Sequence, residues 1–293
     1  MIKILWCMSY LILSACSSSY KNNAVSASSK NENERLDFGE NNSMNVRKEK
    51  SAQSSDRNQS APQPMMGTSE SAASSSSQLA VYIKNQDDEG VLKESSRLLI
   101  QNSNDFKALN AMAMVYYKKG QFNLAKNLLF RAQKNNPTFE VYSNLGIVLL
   151  GNEERNEALR QFKKALELNP NDSVSASNAG SIYIKAYDYE KANLVLENSY
   201  KRGIKDFRVL NNYAISLVGL GKYENAESVY REALKENSSN KEVLFNFSIL
   251  LIEHLKKNQE GLEVLQKLKF IGIPEQSRNK IQELELIARK GQK

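Results

Sequence analysis

The feature that most constrains this chain is a sequence repeat with a period of about 34 residues, which begins near residue 78. One alanine position marks the repeat at intervals of 33, 34 and 34 residues: Ala125, Ala158, Ala192 and Ala226. Aromatic and aliphatic residues recur around each of these alanines at helical spacing. A fixed period of this length indicates a solenoid, in which every unit buries its apolar face against the next one.

Each copy of the repeat has the residues of a helix–turn–helix. Gly120 and Gly221 fall between two helical stretches, while Pro137 and Pro170 follow the second stretch, which proline cannot continue. The pattern resembles the tetratricopeptide repeat, which folds as two packed helices. The resemblance implies an all-α fold, a tetratricopeptide-repeat solenoid wound as a right-handed superhelix, after a disordered N-terminal tether.

We expect the repeat domain to span residues 78–293 and number its units 1 to 6 in chain order. Unit 1, residues 79–105, and unit 6, residues 241–273, are degenerate, as end units of solenoids commonly are. Units 2 to 5 are the full repeats: 106–138, 139–172, 173–206 and 207–240. A helix over residues 275–290, after Pro274, is expected to cap the array. The second helix of unit 6, over 259–269, fits the period only if about one residue is inserted before it.

Residues 1–15 have the features of a secretory signal peptide. Lys3 gives a positive start, and the apolar stretch over 4–13 is too short to span a bilayer. Leu13-Ser14-Ala15-Cys16 then resembles the bacterial lipobox, in which the cysteine receives diacylglycerol and becomes the first residue after cleavage. The resemblance implies that Cys16 is lipidated, with palmitate among its acyl chains, and anchors the protein in a membrane. An ordinary signal peptide with an incidental cysteine is the alternative.

The expected location follows from this motif. Ser17, directly after the cysteine, resembles the enterobacterial sorting pattern for the outer membrane. We therefore expect the protein in the bacterial cell envelope, lipid-anchored, at the outer membrane and facing the periplasm.

Residues 16–77 are expected to form a disordered, Ser/Asn-rich linker. Of the 62 residues over 17–78, 17 are serine and 8 are asparagine, and too few apolar residues remain to offset the cost of ordering the chain. The linker would hold the repeat domain away from the membrane surface. A short linear motif around 63–66 is an alternative role for part of it.

Composition excludes several kinds of chemistry. Both cysteines, Cys7 and Cys16, lie near the N-terminus, and His254 is the only histidine. A disulfide scaffold, a zinc site built on cysteine and a histidine-centred triad therefore lack their parts. We predict no cofactor, no metal site and no enzymatic activity. The net charge of +7 is spread among interspersed acidic residues, so we also predict no nucleic-acid partner.

An asparagine recurs at the sixth position of the predicted first helix in units 3 to 6: Asn144, Asn178, Asn212 and Asn246. In tetratricopeptide solenoids the first helices line a concave groove, and this position resembles the asparagine ladder of some superhelical relatives. There the side-chain amides donate to and accept from the backbone of a bound peptide. Unit 2 breaks the ladder with Ala111, although Asn110 would flank the groove there. A role in packing between units is the alternative.

Four further residues are expected to line the groove: Tyr117, Lys118, Lys185 and Arg208. A carboxylate clamp, as found in binders of chaperone tails, needs several basic side chains that converge on one site. The basic residues of this groove are scattered along it, and the sequence therefore does not favour a clamp.

Three classes of function follow. The favoured class is a lipid-anchored scaffold or adaptor that binds a protein or peptide partner in its groove, within a complex of the bacterial envelope. The second is an assembly factor similar to the tetratricopeptide pilotin lipoproteins, which help a secretin of type IV pilus or secretion systems reach the outer membrane. The third is an enzyme, for example one active on peptidoglycan, for which the sequence supplies neither a carboxylate pair nor a nucleophile.

Overall fold

The computed structural model describes residues 78–273 and 275–291. All regular structure in these residues is helical, which confirms the predicted all-α class. The signal peptide, Cys16 and the linker over 16–77 lie outside the described residues, as does Pro274. No described helix is both long enough and apolar enough to cross a membrane.

Two helices form each unit, and the first five units contain ten of them. They are α1 (78–84) and α2 (Asp88–Gln101), α3 (Phe106–Lys118) and α4 (Phe122–Asn135), α5 (Phe139–Gly151) and α6 (Arg155–Leu168), α7 (Ser173–Lys185) and α8 (Tyr189–Lys201), and α9 (Phe207–Gly219) and α10 (Tyr223–Glu236). In unit 6, α11 (Lys241–Ile249) continues as a π-helix over Leu250–His254 and is followed by α12 (Asn258–Ile271). A 3-10 turn, Glu275–Ser277, then leads into α13 (Arg278–Lys290).

The turn between the two helices of a unit has the same backbone conformation in all six units. One residue in each turn has a positive φ: Gln86, Gly120, Glu153, Tyr187, Gly221 and Lys256. Glycine adopts this left-handed conformation without a steric cost, and it occupies two of these positions, where the sequence predicted a turn. Other residues lose roughly 1–2 kcal/mol there. The packing of the two helices against each other therefore determines the turn in the other four units.

Small residues bring the helices of each unit into contact. The four marker alanines of the repeat are fully buried. At Gly146 and Gly180 a Cβ atom would lie within 3.0 Å of Phe162 and Leu196, the large side chains of the second helix in the same unit. First helices of consecutive units also touch, from α3 through α5, α7 and α9 to α11. The first helices therefore form one continuous surface, which we call the groove.

The π-helix accommodates the extra residue that the sequence predicted in unit 6. Gly261 takes the place that Ala226 has in unit 5, but it lies 35 rather than 34 residues later. Asn246 is still 34 residues after Asn212, so the insertion falls between Asn246 and Gly261. The π-helix lies within that interval, and its wider turn contains one more residue than an α-helical turn.

Helix α13 covers the end of the array. Its buried residues Ile281, Leu284 and Ala288 join the apolar core of the C-terminal units. Lys280 is also buried, and its Nζ lies 2.7 Å from Glu253 Oε1, at the end of the π-helix. The helix thus closes the core with apolar contacts and one buried ion pair.

Candidate peptide-binding groove

A cavity of about 560 Å³ opens in the groove between the first helices of units 1, 2 and 3. Its apolar lining includes Leu79 and Ile83 of α1, Met114 and Val115 of α3 and Val141 of α5. The volume lies in the range of pockets that bind small ligands. The short α1 of the degenerate unit 1 therefore builds one wall of this recess.

The charges around this cavity balance. Lys118 was expected to present its charge to the groove, but its Nζ lies 2.7 Å from Asp88 Oδ1 at the start of α2. Lys107 and Glu140 also contribute to the lining, and both are exposed. Two cations and two anions thus surround an apolar floor.

The other two predicted basic residues lie elsewhere along the groove. Lys185 is exposed at the end of α7. Arg208 pairs with Asp206, the residue that caps its own helix α9, at 2.6 Å. Burial alone would raise the pKa of Asp206, but the hydrogen bonds from Arg208 outweigh it and hold that pKa below its usual range. The structure therefore does not bring the predicted cations together.

Tyr117 lies between units 2 and 3 and does not contribute to the lining of the cavity. It is half-buried, its ring centroid is 5.7 Å from that of Phe122, and it packs over Gly151 of unit 3, where a Cβ atom would approach its ring to 2.9 Å. These contacts are those of a packing residue between two units.

The ladder asparagines connect consecutive units in three cases out of four. Asn144 Nδ2 donates to Asn110 Oδ1 at 2.9 Å, and Asn246 Nδ2 donates to Asn211 Oδ1 at 3.0 Å. Asn212 Nδ2 donates to the carbonyl oxygen of Ser177 at 3.0 Å. In each case the acceptor is the fifth residue of the preceding first helix.

Asn178 is the exception. Its Nδ2 donates to the carbonyl oxygen of Val174 in the same helix, at 2.9 Å, so it does not reach the preceding unit. The fifth residue of that unit, Ser143, bonds instead to the Ser175 hydroxyl at 3.1 Å.

Exposure divides the ladder into two halves. Asn144 and Asn178 are half-buried, whereas Asn212 is 3% exposed and Asn246 is fully buried. The burial and the bonds of Asn212 and Asn246 are what the packing alternative predicts for them. The open part of the groove is its N-terminal half, where the cavity lies.

Sequence reasoning did not identify three contributors to this site. The first is the hydrogen bond from Asn144 to Asn110, a residue predicted only to flank the groove, and the other two are Asp88 and Met114, which were not considered. A signal for the first was present, because the fifth position is polar in units 2 to 5: Asn110, Ser143, Ser177 and Asn211. No group of three or more histidine, cysteine, aspartate or glutamate side chains in the described residues is placed to hold a metal ion.

Stacked two-helix units with a groove along their first helices define a tetratricopeptide-type protein-interaction scaffold. Solved structures share this fold. YrrB, described as a tetratricopeptide-repeat protein with an unusual peptide-binding site, aligns with 67% of the chain and 97% of its own, with a TM-score of 0.52 and 17% identity. A tetratricopeptide repeat protein from Parabacteroides merdae ATCC 43184 aligns with 76% of the chain and 91% of its own, with a TM-score of 0.57 and 15% identity.

A family model described as the coatomer epsilon subunit matches residues 65–271, more than half of the chain, and the chain belongs to that family. Sequence relatives include tetratricopeptide repeat protein 21A of Mus musculus, 30% identical over 128 residues, or 42% of this chain. The Hsp70-Hsp90 organising protein of Plasmodium falciparum (isolate 3D7) is 31% identical over 90 residues, or 28% of this chain. The matched stretches span only 10% and 16% of those two relatives.

Proposed function

We propose that this protein is a lipid-anchored scaffold of the bacterial cell envelope, placed at the outer membrane and facing the periplasm, that binds a segment of a partner protein in its groove. Support for the anchor is the Leu13–Cys16 motif, which lies outside the described residues. The linker over 16–77 would then separate the repeat domain from the lipid surface.

The observation that carries partner binding is the cavity at the N-terminal end of the groove. A solenoid needs apolar contacts between its units, but it does not need an open apolar recess on its surface. The recess is lined mainly by α1, α3 and α5, and it is open in the absence of a ligand. Its described lining contains neither histidine nor cysteine, and we therefore propose binding and not catalysis at this site.

In-cell crosslinking tests the binding site. A photoreactive amino acid in place of Met114, inside the cavity, is expected to trap a defined partner. The same amino acid in place of Leu194, which is 46% exposed on the second helix of unit 4, is the matched control. Equal crosslinking from both positions, or from Leu194 alone, would contradict binding in the groove.

Fractionation tests the anchor separately. The Cys16→Ser variant is expected to lose labelled palmitate and to remain an unprocessed precursor or leave the membrane fraction. If washed membranes retain the unlabelled variant after signal-peptide cleavage, acylation is not the anchor.

A further inference from the structure

We infer that the cavity binds a neutral, extended peptide segment with one bulky apolar side chain, and that Asn110 and Asn144 together hold the backbone beside that side chain. The inference rests on the proposed groove-binding function and specifies the chemistry of the partner. It differs from an acidic tail held by a cluster of basic residues.

The first argument comes from the shape and lining of the cavity. Its lining includes the aliphatic side chains of half-buried Met114 and of buried Val115 and Val141. Burial of one leucine, methionine or phenylalanine side chain against such a lining would contribute roughly 1.5–3 kcal/mol, or about 10- to 100-fold in affinity. Methionine is flexible and adapts to side chains of different shape, so Met114 suits a bulky apolar anchor of more than one kind.

The second argument comes from charge. Lys118 is already paired with Asp88, at 2.7 Å, and the lining holds one further cation, Lys107, and one further anion, Glu140. An acidic peptide would meet as many anions as cations in this lining, and it would have to displace Asp88 from Lys118. A segment without net charge is not repelled by these anions and does not have to displace Asp88, so the lining is complementary to a neutral partner.

The third argument comes from the asparagine pair at the edge of the cavity. Asn144 Nδ2 donates to Asn110 Oδ1. Within the described residues, neither side-chain amide makes another hydrogen bond. Asn110 Nδ2 and Asn144 Oδ1 remain available, which gives one donor and one acceptor on adjacent side chains. If both amides are reversed, the pair still presents one donor and one acceptor, so the conclusion does not depend on their assignment.

A peptide group has the same two functions, one N–H donor and one carbonyl acceptor. The pair therefore matches the backbone of an extended segment without reading its sequence, while the apolar cavity next to it selects the side chain. Asn178 has no asparagine partner of this kind. Its amide bonds back to its own helix, and the fifth residue of the preceding first helix is Ser143. The recognition element is thus confined to the end of the groove that holds the cavity.

The test selects random displayed peptides on the full-length, membrane-anchored protein and measures the affinity of the synthesised winners by fluorescence anisotropy. Selected peptides should share a leucine, methionine or phenylalanine and carry no excess of acidic residues. Met114→Asp, which places a charge on the floor, should weaken binding by about 10- to 100-fold. Asn110→Asp keeps an oxygen to accept from Asn144 but loses the free donor, and it should weaken binding by about 3- to 10-fold.

Asn178→Asp is the matched control, because it makes the same change in the groove but away from the cavity, and its affinity should stay within about two-fold of the original. If Asn110→Asp lowers the melting temperature, its affinity no longer reports on binding alone. The affinity of Met114→Asp, at a half-buried position, then decides the outcome. Selection of acidic peptides whose affinity depends on Lys107 would overturn the inference while the groove function stands, and so would selection of no peptide at all. Selected peptides that ignore every groove variant but lose affinity with Leu194→Asp would contradict both.

Discussion

Replacement of Asn246 by alanine tests the packing role of the C-terminal ladder asparagines. The Asn246 side chain is fully buried, and its Nδ2 donates to Asn211 Oδ1 at 3.0 Å across the interface of units 5 and 6. Asn211 itself is 3% exposed, so water cannot reach its oxygen without a rearrangement once the donor is gone. The variant therefore loses a hydrogen bond and leaves a buried acceptor without its donor.

The loss of stability in Asn246→Ala comes more from the buried acceptor left without a donor than from the lost hydrogen bond itself. A buried acceptor that loses its partner costs about 1–3 kcal/mol in the free energy of unfolding, whereas the net contribution of an ordinary hydrogen bond is closer to 1 kcal/mol. We therefore expect Asn246→Ala to destabilise the repeat domain by about 1–3 kcal/mol. For a domain of this size each kcal/mol lowers the melting temperature by roughly 2–4 °C.

The assay is urea unfolding followed by helical circular dichroism, with Asn178→Ala as the control. Asn178 occupies the same position in unit 4, but it is half-buried and bonds only to Val174 of its own helix. Its replacement should change the free energy of unfolding by less than about 0.5 kcal/mol. Equal urea midpoints for the two variants, with equal slopes, would show that the bond between units 5 and 6 does not hold the array together.

Three further outcomes are expected. Tyr230→Phe removes a buried hydroxyl that has no hydrogen-bond partner among the described residues, so it should raise the urea midpoint by an amount equal to about 0.5–2 kcal/mol. Tyr200→Phe is the control, because it removes a bonded hydroxyl and should lower the midpoint. Burial lowers the pKa of His254, so just below about pH 6.5 the unfolded chain binds more protons than the folded chain. The free energy of unfolding should therefore fall as the pH drops through that value. Urea titrations at several pH values should show this fall for the original protein and not for His254→Phe. Gly219→Ala places a Cβ atom 2.3 Å from the base of the Tyr189 ring and should lower the thermal midpoint by an amount equal to about 1–3 kcal/mol, a result that an unchanged melt would contradict.

The repeat architecture could be predicted from the sequence because it depends on local and periodic features. The buried alanines mark where the two helices of a unit meet, and Gly120 and Gly221 mark the left-handed turns. Even the extra residue of unit 6 was apparent from the spacing of its second helix. Its location was not, because a helix of Leu, Ile and Phe residues gives no sign of where one turn will widen into the π-helix over Leu250–His254.

The candidate site was harder to predict because its properties come from contacts between units. Lys118 resembles a free groove cation in sequence, but Asp88, 30 residues earlier in a degenerate unit, neutralises it. The cavity likewise depends on α1, whose repeat signature is weak although it supplies one wall. A period of 34 residues identifies equivalent positions, but it does not say which neighbour each side chain will meet.

The asparagine ladder shows why equivalent positions can have different roles. The residues at the sixth position are chemically identical, but their burial and their neighbours differ between the two ends of the array. The ninth residue of the first helix changes from the half-buried Met114 of unit 2 to the fully buried Ile249 of unit 6, and the fifth changes from Asn110 to Phe245. Asn212 and Asn246 are buried and donate to the preceding unit, to the Ser177 carbonyl and to Asn211 Oδ1, whereas Asn110 and Asn144 are only half-buried beside the cavity. The same amide chemistry therefore stabilises the array at one end and is available to a ligand at the other.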